Sequence, residues 1–207
     1  MFTILLNDNF EHRVYAEKSE KSSLEHMQTS MKHRVHILGY VVSTVIVLFA
    51  PVETLGQFKL TVVEKMVQTA HPLPNITHDR LKHILSTKDS NQVVIFDVRE
   101  EEEYVVSHIR RAIRVDADIS SEEFVKLHGN MIKGKLVVFY CSVGYRSSIA
   151  LERLKTSIIH NGAIQVANLL GGIFRWFNEG NAVVNTKGPT NEMHPYNQYW
   201  GKLVQKR

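Results

Sequence analysis

Cys141 is the single cysteine of the chain, and it stands among residues that suit thiolate chemistry. It follows the apolar run Leu136–Tyr140 and precedes a helical pattern that begins at Ser147, so residues 141–146 predict a tight strand-to-helix loop. Such a loop leaves successive backbone N–H groups unpaired beside the positive end of the helix dipole, and it can bind an anion. The same N–H groups and Arg146 favour the thiolate form of a cysteine at the edge of the loop. Cys141 is therefore the candidate catalytic nucleophile.

The rest of the loop supplies the candidate substrate-binding residues. These are Ser142, Val143, Gly144, Tyr145 and Arg146. Gly144 allows the backbone to bend inward, and Arg146 is the only charged side chain of the loop. A lone cysteine is more often an inert core residue. The predicted position at the carboxyl end of a strand, where open α/β sheets bind their ligands, favours a functional cysteine instead.

Apolar runs alternate with helical patterns on both sides of this loop. The predicted strands are Val93–Asp97, Leu136–Tyr140 and Gln165–Leu170. The predicted helices are Phe58–Ala70, a helix from the N-cap Thr77 through Leu85, a helix with a Ser120–Glu123 capping box, Ser147–Ile159 and Gly172–Glu179. Their expected core residues include Phe124, Leu127, Ile149, Leu151, Leu154, Ile158 and Trp176. Glu100–Glu103 suits the first turn of a helix, where carboxylates oppose the dipole. Continuous apolar strands that alternate with helices predict an α/β fold with a parallel sheet covered by helices on both faces.

Composition excludes several classes of function. The 207 residues are 43% apolar and 22% charged, as in a globular protein, and the net charge is +4. Lys and Arg are scattered, so no nucleic-acid partner is expected. One thiol forms neither an internal disulfide nor a zinc site of several thiolates, and the histidines form no pair with Asp or Glu at ligand spacing. No metal and no cofactor are predicted.

The amino-terminal part predicts a targeting segment. Residues 1–34 are polar and expected to be disordered, whereas residues 35–52 form an apolar run preceded by Lys32 and Arg34. The run suits a secretory signal or a membrane anchor, either of which would put the following domain outside the cytoplasm (the periplasm, in a bacterium). A buried helix or strand is the alternative. Translation from Met31 instead of Met1 is a further open question.

Four landmarks in order resemble the rhodanese (thiosulfate sulfurtransferase) superfamily. They are Asp97-Val98-Arg99; Tyr104 with Ser107-His108-Ile109 and Ala112-Ile113; Cys141 with Arg146 after four residues; and Leu169-Leu170-Gly171-Gly172 with Trp176. The resemblance covers residues 75–184, preceded by a connector at residues 53–74 and followed by a tail at residues 185–207 expected to pack on the domain. Arg111 and Ser107 stand where the family usually has Gly.

The resemblance implies a rhodanese-like sheet and a sulfurtransferase. Cys141 would take a sulfane sulfur from a small anionic donor such as thiosulfate and pass the persulfide sulfur to a thiol or to cyanide. Asp97, Arg99 and Ser147 would support the loop, and Gly171 and Gly172 would permit close packing beside it. The oligomeric state is open, and a membrane is a partner only if residues 35–52 stay uncleaved.

Two other functions compete with sulfur transfer. Phosphatases and arsenate reductases on related folds use a Cys and an Arg in a phosphate loop, but with five intervening residues, and they need a general acid that neither Asp116 nor Asp118 clearly provides. A non-enzymatic module that binds a partner or senses persulfide would retain the same fold without turnover.

Overall fold

The computed structural model describes residues 52–205, with the side chains of residues 59–205. The helices are α1 Val52–Ala70, α2 His78–Ser86, α3 Glu101–Val106, α4 Ser121–Ile132, α5 Tyr145–His160 and α6 Gly172–Asn178, with 3-10 turns at Lys88–Gln92 and Trp200–Leu203. The strands are β1 Asn75–Ile76, β2 Val93–Asp97, β3 Ile113–Arg114, β4 Leu136–Tyr140, β5 Gln165–Leu169, β6 Val183–Asn185 and β7 Gly188–Thr190.

Five strands form a parallel sheet in the order β1-β5-β4-β2-β3. β2 and β4 pair along their whole length, from Val93 opposite Leu136 to Asp97 opposite Tyr140. The strand ends therefore coincide at one edge of the sheet, and Cys141 leaves β4 there. β6 and β7 form a separate antiparallel hairpin.

Helices cover both faces of the sheet. Side chains alternate along β4: Val138 and Tyr140 join one apolar cluster, whereas Val137, Phe139 and Cys141 join the other. The first cluster contains residues of α1, α2 and α6, for example Leu60, Leu81 and Trp176. The second contains residues of α4 and α5, for example Phe124, Leu151 and Leu154. The predicted α/β architecture with a parallel, doubly covered sheet is confirmed.

Several predicted details need correction. Ile149 and Leu127 are 39% and 58% exposed, so neither is a core residue. The buried stripe of α5 runs through Leu151, Leu154 and Ile158, and Ile149 lies two residues from its start, about 200° around the helix. The first described helix begins at Val52 instead of Phe58.

The predicted signal or anchor lies outside the described residues, apart from Val52, where α1 begins. The preceding polar segment lies outside them as well. None of the helices within residues 52–205 is both long enough and apolar enough to span a bilayer.

The chain after β6 returns to the body of the domain. Leu203 is buried in the first apolar cluster, and Met193, Trp200 and Val204 pack against that cluster. His108 and Val184 exchange backbone hydrogen bonds, which ties β6 to the segment after α3. The carboxyl-terminal residues therefore contact the same core as the sheet and α1.

Candidate active site

The loop after β4 turns sharply into α5. Gly144 adopts φ 95°, a left-handed conformation that favours glycine, and it is the N-cap residue of α5. Its backbone N–H donates to the Cys141 Sγ at 3.2 Å. One of the loop N–H groups thus donates to the cysteine sulfur. It belongs to Gly144, the residue that was predicted to let the backbone bend inward.

Cys141 is 1% exposed but lines a cavity of about 260 Å³. The other lining residues are Ser142, Val143, Tyr145, Arg146, Tyr196 and Trp200. Four of the five predicted substrate-binding residues therefore surround the cavity, and the fifth, Gly144, contacts the sulfur from below. Tyr196 and Trp200 belong to the tail that was expected to pack on the domain, but they were not assigned to the site, because they lie outside the four landmarks.

The start of α6 is bonded directly to the back of the loop. Ile173 N–H donates to the Cys141 carbonyl at 2.9 Å, and Phe174 N–H donates to the Ser142 carbonyl at 3.0 Å. A Cβ added at Gly172 would lie 2.2 Å from the Cys141 carbonyl oxygen. The predicted close packing of Gly172 beside the loop is therefore confirmed.

Glu103 holds the loop from the opposite side. Its carboxylate, 1% exposed, accepts from Ser142 Oγ at 2.8 Å and from Arg146 Nη2 at 2.9 and 2.8 Å. The Arg146 Nη1 is buried without a hydrogen-bond partner among the described residues, and it lies 3.6 Å from Glu100 Oε1. The Arg146 guanidinium is thus anchored within the loop by a carboxylate, and only part of it remains to contact a ligand.

Charge around Arg146 is balanced by groups of opposite sign. Burial lowers the pKa of Arg146, but the electrostatic interactions with Cys141 and with the Glu103 carboxylate outweigh burial, and the pKa lies above its ordinary value. The guanidinium stays charged at every pH of interest. It therefore supplies a permanent positive charge beside Cys141.

The predicted supports Asp97 and Arg99 do not bond to the loop. Arg99 Nη2 donates to Asp97 Oδ2 at 2.7 Å and to the Ser107 carbonyl at 2.6 Å, and both charged side chains are fully buried. Their bonds tie the end of β2 to the segment after α3. None of these hydrogen bonds reaches residues 141–146, to which Glu103 bonds instead, and a support of the loop by this pair stays a prediction.

The predicted support Ser147 acts through a residue that the sequence did not single out. Ser147 Oγ donates to Asn168 Oδ1 at 2.7 Å, and the Asn168 amide donates to the Gly144 carbonyl at 3.2 Å. Asn168, on β5, is 2% exposed. A polar residue in an otherwise buried strand is the signal that marks such a brace.

Within the described side chains, no three His, Cys, Asp or Glu residues are grouped as ligands for a metal ion. The expectation of a reaction without metal or cofactor stays a prediction.

Residues 77–179 match the family model of the rhodanese-like domain. The tRNA uridine(34) hydroxylase of Bacillus velezensis is 29% identical over 105 residues, which are 48% of this chain and 31% of that protein. The uncharacterised protein slr1261 of Synechocystis sp. is 29% identical over 127 residues, 59% of this chain and 65% of that protein. The chain spans only 26% to 37% of the length of three hydroxylases that it matches.

A solved structure has the same fold. The BH2092 protein of Bacillus halodurans superposes with a TM-score of 0.50 at 20% identity, over 65% of this chain and 93% of that chain. The matched domain, residues 77–179, contains the Cys141 loop, Glu103 and Asn168. The chain therefore contains a domain, residues 77–179, that is similar to the rhodanese-like domain family.

Proposed function

We propose that the protein is a sulfurtransferase in which Cys141 carries a sulfane sulfur as a persulfide. The observation that carries the proposal is the Gly144 N–H that donates to Cys141 Sγ, in a loop that also lines a cavity. A sulfur held by a backbone donor beside a permanent cation is stabilised as an anion. An inert core cysteine has no need of this arrangement.

The first half-reaction forms the persulfide. The Cys141 thiolate attacks the outer sulfur of a donor such as thiosulfate or a thiosulfonate. A bond forms between Cys141 Sγ and that sulfur, while the bond to the oxidised sulfur breaks and its electron pair leaves with sulfite or a sulfinate. No proton, oxidant or reductant is needed.

The second half-reaction releases the sulfur. Cyanide or an acceptor thiolate attacks the terminal persulfide sulfur, and the electron pair of the S–S bond returns to Cys141 Sγ. Thiocyanate or a new persulfide leaves. The persulfide anion extends the charge outward by one atom, where amides of the loop can donate to it. Glu103 and Arg146 act by keeping the loop in this geometry.

Two alternatives are less well supported. Asp116 and Asp118, the acids considered for a phosphatase mechanism, line a different cavity from Cys141. A module that only binds a partner requires neither a donor to the Cys141 sulfur nor a cavity beside it. The substrate in the name of the tRNA uridine(34) hydroxylases is not extended to this chain, because the similarity spans about a third of those proteins.

The test is the Cys141→Ser variant, assayed for thiocyanate formation from cyanide and a panel of sulfane donors. We expect turnover to fall to the uncatalysed rate with every donor, because a hydroxyl at this position forms no persulfide. The melting temperature of the variant reports whether the fold is intact. Retained turnover in a folded variant contradicts the proposal, as does phosphate-ester hydrolysis that the wild type performs faster than sulfur transfer.

A further inference from the structure

Three aromatic side chains line the Cys141 cavity, and two of them, Tyr196 and Trp200, come from the carboxyl-terminal tail. Tyr196 and Trp200 line the cavity together with Val143 and Tyr145. These four side chains offer apolar and ring surface, with hydroxyl groups only on the two tyrosines. A cavity with such a lining favours a ligand that has an apolar or aromatic part.

The tail segment is held in place by its own hydrogen bonds. Asn197 N–H donates to the Pro195 carbonyl at 2.8 Å, Gly201 N–H to the Asn197 carbonyl at 2.9 Å, and Trp200 N–H to Asn197 Oδ1 at 3.0 Å. Tyr196 adopts φ 62°, which residues other than glycine seldom adopt. Trp200 also packs against the first apolar cluster. The two rings are therefore preorganised at the cavity.

Tyr196 also covers the cation of the site. Its ring lies 4.6 Å from the Arg146 Cζ, at cation–π distance. Arg146 is the only cation among the described residues that line this cavity. Its Nη2 is bonded to Glu103, and Glu100 lies 3.6 Å from its Nη1. In the proposed reaction Cys141 acts as a thiolate, so three negative groups then lie near one guanidinium, which disfavours a dianion more than a monoanion.

Given the proposed function, we infer that Tyr196 and Trp200 make the site selective for an organic sulfane donor, a monoanion with an apolar group, over thiosulfate. With a thiosulfonate, the attack of Cys141 transfers the outer sulfur and releases a sulfinate with the S–S electron pair. The organic group of the donor then lies against Tyr196 and Trp200 while the sulfane sulfur reaches Cys141.

Three sulfur donors of related chemistry distinguish the effect of donor charge on kcat/KM from the effect of apolar contact. Thiosulfate and methanethiosulfonate are small and differ mainly in charge, whereas methanethiosulfonate and benzenethiosulfonate share one charge and differ in the ring. We expect kcat/KM to rise from thiosulfate to methanethiosulfonate to benzenethiosulfonate, with the last step about tenfold, the discrimination typical of a few buried carbon atoms.

Variants of the tail test the assignment to Tyr196 and Trp200. Tyr196→Ala and Trp200→Ala are expected to bring the benzene-to-methane ratio of kcat/KM close to one, while Tyr196→Phe retains it because the ring remains. Ile164→Ala is the control, since Ile164 is 75% exposed and lines a different cavity. Tyr199 does not serve, because its ring contacts that of Trp200 at a centroid distance of 5.7 Å. Tyr196→Leu replaces Tyr196→Ala if the latter does not fold.

The outcomes distinguish the inference from the proposed function. Equal kcat/KM for the two thiosulfonates in the wild type, or a ratio that Ile164→Ala lowers as much as Tyr196→Ala, overturns the inference and leaves sulfur transfer standing. No persulfide on Cys141 with any of the three donors overturns the proposed function itself. A wild-type ratio near ten that depends on the Tyr196 ring supports the inference.

Discussion

Glu103 is the side chain through which α3 holds the cysteine loop. It lies on α3, 43 residues before Arg146 and 39 before Ser142, and it bonds to both. It also accepts from the Glu100 N–H at 3.1 Å, as part of a capping box at the start of α3. One carboxylate thus stabilises a helix terminus and positions the cysteine loop.

Glu103→Gln is expected to loosen the loop without removing the thiol. An amide cannot balance the Arg146 charge, and breaking a buried ion pair is costly, so we expect the free energy of unfolding to fall by about 2–3 kcal/mol. The rate of persulfide formation falls as well. Urea unfolding and stopped-flow kinetics measure the two effects.

Glu102→Gln is the matched control, because Glu102 is exposed on the same helix, and its effect should stay within about 0.5 kcal/mol. Equal effects of the two substitutions would show that the Glu103 contacts contribute nothing.

His78 makes the stability of the fold depend on pH. Burial, and next the charge of Arg175, lower its pKa from 6.5 to about 4, although Glu179 Oε2 lies 3.5 Å from its Nδ1. The carboxylate would favour protonation, but burial and Arg175 outweigh it. Because the folded protein resists protonation, the unfolded chain binds the proton first as pH falls below 6.5.

The contribution of His78 to stability is therefore complete above pH 6.5 and is lost between pH 6.5 and about 4, roughly 3 kcal/mol in all. Urea unfolding at several pH values gives the free energy of unfolding of the wild type and of His78→Gln. The change with pH in the difference between the two free energies measures the contribution of His78. Glu179, whose pKa burial raises, titrates in both proteins and is common to them. His83→Gln, at an exposed position of α2, should behave like the wild type. A pH-independent difference between wild type and His78→Gln would refute this assignment.

At the scale of elements, the start of α6 packs directly against the back of the Cys141 loop. Gly172 has φ 58°. A Cβ atom added to it would lie 2.2 Å from the Cys141 carbonyl oxygen. This distance is far below van der Waals contact, so with any residue other than glycine the helix would have to move away from the loop.

Gly172→Ala is expected to destabilise the fold by more than about 3 kcal/mol and to reduce sulfur transfer, since the hydrogen bonds from Ile173 and Phe174 to the loop are lost. Gly180→Ala is the control: it shares a positive φ of 80° but has nothing within 4 Å of the added carbon. Thermal melting measures the destabilisation of both variants. The cost of the backbone conformation is common to both, so the additional destabilisation of Gly172→Ala reports the clash. Equal losses in the two variants would exclude the clash.

Sequence patterns predicted the elements whose residues carry the signal locally. β2 and β4 match their apolar runs from end to end, and Thr77 and Ser120 cap their helices as predicted. The edge strands β1 and β3 have two residues each and were missed, because two residues show no period. Ile149 was misassigned because helical spacing alone does not say which of two apolar stripes faces the sheet.

The site divides in the same way. Cys141, Gly144 and Arg146 were predicted because one short loop contains all three. Glu103 was interpreted only as a residue of a helix start, and Tyr196 was not assigned to the site, because both reach it through contacts distant in sequence. Asp97 and Arg99 were assigned to the loop by resemblance, whereas their buried pair stabilises a different junction.

At the scale of the whole molecule, the described residues 52–205 build a five-stranded sheet and a separate hairpin, and the sheet edge that carries Cys141 is lined by later parts of the chain. α1 joins α6 through Glu64 and Arg175, whose Oε1 and Nε lie 2.7 Å apart, and the tail places Tyr196 at the mouth of the site. The cysteine is thus shielded from bulk water and reached through a small cavity. In the proposed function, this shielding would protect the persulfide between the two half-reactions.

The most direct measurement of the central claim is the intact mass of the full chain after exposure to a sulfane donor. Because the chain has one cysteine, the assignment of any added sulfur is unambiguous. We predict a gain of the mass of one sulfur atom in the wild type, its removal by cyanide, and no gain in Cys141→Ser. An unchanged mass of the folded wild-type protein with thiosulfate and with both thiosulfonates would contradict the account.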